Sequence, residues 1–124
     1  MGEYPITLEH FELYKKYTYE WLDIFKLNDY KIFFEQRETD DEYGWVTWEC
    51  EERMACFGIA EEVDLEPTDE FIDEIAFHET FELILGELRL TAERRYAEER
   101  EIKTAVHSII RRMKNTVFKK YRGK

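Results

Sequence analysis

The chain has 124 residues, of which 44% are apolar and 16% aromatic, and its formal net charge is −11. This composition predicts one globular domain, residues 1–124, with a single hydrophobic core. No apolar run approaches the roughly 18 residues that a membrane span needs, so we expect no membrane association. The N-terminus lacks the basic and apolar blocks of a secretory signal, which predicts a cytoplasmic protein.

Charge is distributed unevenly along the chain. Residues 102–124 hold eight of the 18 basic residues and none of the 29 acidic ones, so the remaining residues carry a net charge of −19. The basic end is typical of a solubilising tail that complements a helix dipole. A nucleic-acid contact is the alternative interpretation, although the acidic body argues against nucleic acid as the main partner. A basic partner protein would suit that body better.

The first predicted element is an amphipathic helix from Thr7 to about Leu27, with Thr7 as N-cap and a stop near Asn28. From residue 30 to residue 63 the apolar pattern changes to a period of two, which indicates strands. Three β-prone stretches predict a three-stranded antiparallel meander. They are Tyr30–Glu35, Trp45–Cys50 and Met54–Ala60. Cys50 and Cys56 flank the second turn, and a reducing compartment would keep both as free thiols.

Two further helices complete the prediction. Pro67 and the acidic residues after it indicate a helix start, and a second helix should run from Thr68 to Leu88. It is apolar almost all round, as expected of a central buried helix. A connector at Leu88–Thr91 should lead into a long C-terminal helix from Ala92 to Phe118. The predicted fold class is therefore α+β.

Three ionisable residues in the middle of the central helix are the main functional signal. At roughly 100° per residue, His78 and Glu82 share its most apolar stripe, and Glu79 lies about a quarter turn away. An ionised carboxylate on a buried face costs several kcal/mol unless it is paired or bound to metal. We therefore expect these three residues to have a functional role.

A histidine and a glutamate four residues apart point the same way and can bind one metal ion together. Glu98 or Glu99, on the inward extension of the C-terminal helix, is expected to supply a third ligand. Glu79 could accept a proton from water at the metal and deliver it to a leaving group. His107 is expected at the boundary of its helix's apolar stripe rather than at the metal. The sequence thus predicts a divalent-metal site.

These residues also have purely structural interpretations. His78 could form an internal ion pair with Glu82, or Glu82 could pair with Arg95. Glu98 and Glu99 could belong to a solvated charge run that makes pairs along its own helix.

The chain resembles the zincin metallopeptidases, and more specifically the minimal gluzincin-like metallopeptidases of bacteriophages. The resemblance covers about Trp21 to Phe118, and four stretches carry it. They are Tyr30–Phe34, Ala76–Leu83 and Glu98–Glu101 before Ala105–Arg112. It implies a phage-encoded peptidase of the host cytoplasm that acts on a peptide or protein substrate. His78 would then bind zinc, Glu79 would be the general base, and the strand at Met54–Ala60 would border the cleft.

Glu82 stands where this family has its second histidine. A carboxylate there adds negative charge and lowers the Lewis acidity of a bound zinc ion. A shell of one histidine and two glutamates also suits Mn²⁺ or Fe²⁺ better than a shell with two histidines does. The alternative function is therefore a non-enzymatic acidic module that binds a basic protein through the same fold.

Overall fold

The structure, a computed structural model, describes residues 2–49, 51–93 and 98–122. It mixes helices with small sheets, which confirms the α+β class. In chain order its elements are β1 (Tyr4–Pro5), α1 (Leu8–Ile24), β2 (Lys31–Arg37), β3 (Gly44–Glu49), β4 (Met54–Ala60), β5 (Glu62–Val63), α2 (Asp69–Ile84), α3 (Gly86–Glu93), α4 (Glu99–Met113), a π-helical turn (Lys114–Phe118) and α5 (Lys119–Arg122). Within these ranges, no helix has both the length and the apolar character that crossing a bilayer requires.

Helix α1 begins as predicted and ends earlier. The Thr7 hydroxyl accepts a hydrogen bond from the backbone N–H of His10, whose ring accepts one from the N–H of Thr7. This reciprocal arrangement is a capping box. The helix ends at Ile24 rather than near Leu27, because Lys26 adopts a left-handed conformation with φ of 60°. A residue in that conformation cannot continue a right-handed helix.

The main sheet is not the predicted meander. Its strand order is β2-β4-β3, with β4 parallel to β2 and antiparallel to β3. The composition of β4 explains this order. Ala55 and the four residues from Phe57 to Ala60 are buried, whereas β2 alternates between exposed and half-buried positions. A strand covered on both faces belongs in the middle of a sheet. The short strands β1 and β5 form a separate antiparallel pair.

Helix α2 lies at the centre of the core. Its N-cap is Thr68, whose hydroxyl accepts a hydrogen bond from the N–H of Phe71 at 3.1 Å. The helix ends at Ile84, and the predicted connector at Leu88–Thr91 is instead helical, within α3. Gly86 opens α3 against the indole of Trp48, where an added Cβ would lie 2.7 Å from Cε2 of that ring. The absence of a side chain at position 86 permits this close approach.

The predicted long C-terminal helix is divided. Helix α4 starts only at Glu99 and gives way at Lys114 to the π-helical turn. A π-turn inserts an extra residue and rotates the side chains that follow it. Phe118 thereby packs against Trp21 and Phe77, with ring centroids 5.9 Å and 5.7 Å away.

Two basic residues of this C-terminal segment have acidic partners within the protein. Lys114 pairs with Glu74 at 2.8 Å, and Arg122 pairs with Asp73 at 2.6 Å and with Glu20 at 2.7 Å. These contacts fasten the end of the described chain to α1 and α2. Part of the basic segment therefore has a structural role.

Candidate metal centre

A cleft of about 670 Å³ opens between α2, the C-terminal helices and the loop before β3. Helix α2 forms its floor with Glu74, Ile75, His78, Glu79 and Glu82. One wall, the helical wall, consists of Arg89, Lys103, His107 and Lys114. The opposite wall, called the loop wall here, consists of Asp41, Glu42, Tyr43, Gly44, Leu65 and Phe71.

Three potential ligands meet in this cleft. The Nε2 atom of His78 lies 3.1 Å from Oε2 of Glu82, one turn along α2, as the spacing predicted. The ring of His107 faces that of His78 from α4, with centroids 5.3 Å apart. One ligand atom from each residue lies within 4.8 Å of the other two. Tetrahedral ligands about 2.1 Å from zinc are roughly 3.4 Å apart. Small side-chain movements would therefore let the group hold a metal ion.

His107 joins this group although the sequence indicated a boundary residue. Lys103, His107 and Lys114 fall within about 40° of one another on a helix. All three line the cleft. This polar stripe runs beside the apolar stripe of α4, and it is the sequence signal that could have identified His107 as a ligand. Whether the stripe reaches the cleft depends on how α4 packs against α2, and the periodicity of α4 alone does not specify that packing.

Glu82 is the ionised member of a pair of carboxyl groups. Burial by itself would raise the pKa of Glu82, but the hydrogen bond and charge of His78, with smaller effects of His107 and Arg89, bring it below its ordinary value. The guanidinium Nη1 of Arg89 lies 3.8 Å from the second oxygen, Oε1. A carboxylate that stays ionised is available as a metal ligand.

Glu79 is the more deeply buried member of the pair. It is only 5% exposed. Burial, the charge of Glu82 and a hydrogen bond with Glu82 raise the pKa of Glu79 well above its ordinary value. Its side chain points toward the start of β3, where a Cβ added to Gly44 would lie 3.6 Å from its Cγ atom. A buried carboxyl group with a raised pKa, beside a group of ligand atoms, is suited to carrying a proton.

Glu98 and Glu99 do not join the ligand group that the described residues form. Both are exposed, and Oε1 of Glu99 pairs with Nζ of Lys103 at 3.0 Å. That hydrogen bond and the charge of Lys103 hold the pKa of Glu99 below its usual value. Helix α4 begins at Glu99 with Glu98 as its N-cap, and both carboxylates lie at this exposed helix start rather than against α2. Arg95, the other predicted partner of Glu82, lies outside the described residues.

The edge of the cleft also differs from what the resemblance implied. Gly44, the first residue of β3, borders it. Strand β4 lies between β2 and β3 and is therefore one strand farther away.

Comparisons with protein-family models, curated proteins and solved structures found no match for this chain. The function is therefore inferred from the cleft itself.

Proposed function

We propose that this protein is a zincin-like, metal-dependent peptidase in which His78, Glu82 and His107 hold a divalent cation and Glu79 carries protons. The observation behind this proposal is the meeting of three ligand atoms within 4.8 Å of one another beside a buried carboxyl group, in an open cleft. The proposal retains the resemblance to phage gluzincin-like peptidases. It replaces the expected ligand Glu98 or Glu99 by His107.

The donor set supports zinc. With His107 as third ligand, the site offers two imidazoles and one carboxylate, the set that thermolysin-type peptidases use. One carboxylate instead of two leaves more positive charge on the cation and so restores Lewis acidity. Nitrogen donors also favour zinc over manganese, which prefers an all-oxygen shell. The replacement of a histidine by Glu82 is thus compensated by a histidine from another helix.

Glu79 would perform the proton transfers. A cation in the site supplies Lewis acidity toward a substrate carbonyl and lowers the pKa of nearby water. The carboxylate of Glu79 takes the proton that the attacking water loses and delivers it to the departing amine nitrogen. Its burial keeps bulk water away from this proton, and the cleft that Glu79 lines, with a volume of about 670 Å³, leaves room for a substrate backbone.

Metal titration tests the ligand assignment. Wild-type protein dialysed against Zn²⁺ should retain about one equivalent by elemental analysis, and His107→Ala should weaken binding at least about tenfold, as should Glu82→Gln. His10→Ala is the matched control, because His10 caps α1 away from the cleft. Less than about a tenth of an equivalent, unchanged by added Zn²⁺ or Mn²⁺, would refute the proposal.

Two further variants separate the roles of the glutamates. Glu79→Gln should keep the metal and lower the rate of peptide hydrolysis by at least about 100-fold, because the amide cannot accept the proton. The double substitution Glu98→Gln/Glu99→Gln should leave metal content unchanged. A loss of metal in this double variant would show that Glu98 or Glu99 is a ligand, as the sequence predicted. Undiminished hydrolysis by Glu79→Gln would show that Glu79 does not carry the proton.

A further inference from the structure

The loop wall of the cleft has an apolar surface. The rings of Tyr43 and Phe71 meet edge to face with centroids 5.1 Å apart. The hydroxyl of Tyr43 donates a hydrogen bond to Oδ1 of Asp64 at 2.6 Å, which fixes the orientation of its ring. Leu65 lines the same wall and is 52% exposed. A large apolar side chain that stays half exposed beside two aromatic rings offers a contact surface for an aliphatic chain.

Two exposed carboxylates, Asp41 and Glu42, complete the loop wall. The cations across the cleft have acidic partners of their own. Lys103 pairs with Glu99, and Lys114 pairs with Glu74. These two lysines of the helical wall are thus already in ion pairs within the protein. The loop wall, in contrast, presents a negative surface to a ligand.

The cleft floor between the two walls contains a pair of carboxyl groups that belongs to the proposed metal centre. The carboxyl group of Glu79 is more than nine-tenths buried and lines the cleft. Among the described residues, its hydrogen-bond partner is another carboxyl group, that of Glu82. The negative charge that the loop wall presents to a ligand therefore comes from the exposed carboxylates of Asp41 and Glu42. Acidic peptides would be repelled there, and purely apolar ones would leave the carboxylates of the wall without a counter-charge.

We propose that the loop wall binds a lysine or arginine side chain of a peptide, with its aliphatic stem against Tyr43, Leu65 and Phe71 and its charged head at Asp41 and Glu42. Such side chains combine an apolar stem with a cationic end, which matches the two parts of the wall. The position of this basic residue next to the cleaved bond rests on the proposed peptidase function. Recognition of the side chain itself does not require hydrolysis.

Binding of matched peptides tests the proposal. Three fluorescent hexapeptides with blocked ends would be identical except for arginine, norleucine or glutamate at one central position. Their affinities for the wild-type protein without added metal and for zinc-loaded Glu79→Gln would be measured by anisotropy at low salt. The arginine peptide should bind about tenfold tighter than the norleucine peptide, and the glutamate peptide should bind most weakly. The preference should decrease as salt is raised.

Asp41→Asn/Glu42→Gln should reduce the preference for arginine over norleucine to about twofold or less, while circular dichroism confirms an unchanged fold. Asp40→Asn is the matched control, because Asp40 is an exposed neighbour outside the cleft lining. Equal affinity for all three peptides, or a preference that survives the double substitution, overturns the proposal.

Parallel hydrolysis assays on the zinc-loaded wild type separate the two proposals. An arginine preference in binding without cleavage of any peptide supports basic-peptide recognition and refutes the peptidase function. Cleavage of the arginine and norleucine peptides at equal rates and with equal affinities supports the peptidase function and overturns the basic-peptide proposal.

Discussion

Arg122 connects α5 to α1 and α2 through a buried carboxylate. Its Nε atom donates to Oδ2 of Asp73 at 2.6 Å, and the indole N–H of Trp21 donates to Oδ1 at 2.7 Å. The guanidinium also lies over the ring of Trp21, 4.6 Å from its centroid. Arg122→Met would keep an unbranched stem over this ring and remove the charge. Asp73, which is only 4% exposed, would then lose the hydrogen bond from Arg122 and keep the one from Trp21.

The size of the effect follows from burial. Removing one partner of a buried ion pair typically costs about 3–5 kcal/mol. The side chain of Arg122 is 22% exposed, so water can replace part of the lost contact and the lower end of that range applies. The second pair, with the more exposed Glu20, adds less than about 1 kcal/mol. We expect a loss of about 3 kcal/mol in the free energy of unfolding at pH 7, or about 10 °C in Tm.

The loss should become smaller at low pH. Burial raises the pKa of Asp73 above its ordinary value, although Trp21 and Arg122 oppose that shift. A carboxyl group whose pKa is raised by folding favours the folded state fully below the unfolded pKa, about 3.9, and loses that contribution as pH rises through the folded pKa. Without Arg122 the folded pKa rises further. At pH 4.5, close to the unfolded pKa, protonating the carboxyl group costs only about 1 kcal/mol, so the penalty for the missing partner should fall toward that figure.

Urea denaturation followed by tryptophan fluorescence measures this effect at both pH values. Arg122→Met should lose about 3 kcal/mol at pH 7 and about 1 kcal/mol at pH 4.5, and less than about 1 kcal/mol at either pH in the Asp73→Asn background. Lys119→Met, an exposed change on the same helix, should cost under about 0.5 kcal/mol. A loss that is independent of pH, or that persists in full with Asp73→Asn, would show that packing and not the ion pair anchors α5.

Two other changes test the sheet. Gly58→Ala should lower the free energy of unfolding by about 2 kcal/mol or more in urea, because the new Cβ would lie 1.9 Å from Cε2 of Trp45, and unchanged stability would contradict this packing. Burial, with a smaller effect of Glu35, raises the pKa of the Cys56 thiol. In a Cys50→Ser background, Cys56 should react with a disulfide reagent at pH 8 more slowly than free cysteine, and Glu35→Gln should speed the reaction. A rate equal to that of free cysteine would argue against the half-buried environment of Cys56.

The sequence alone determined the features that depend on neighbours along the chain. The Thr7 cap and the start of α2 near Thr68 follow from residues within one turn of each helix. The contact between His78 and Glu82 follows from a spacing of four residues on a helix. The raised pKa of Glu79 was not predicted, but an acidic residue in so apolar a helix already indicated an unusual environment. The prediction that Cys50 and Cys56 are both free thiols stays untested, because Cys50 lies outside the described residues.

Tertiary structure decided the strand order and the third ligand. Strand β4 takes the central position because it can be buried on both faces, a comparison among strands that no local turn signal expresses. His107 reaches His78 because α4 packs its polar stripe along α2. Glu98 and Glu99 lie at the start of α4 and are exposed to solvent. Periodicity specifies which face a residue occupies, but only the packing of one helix on another specifies what that face contacts.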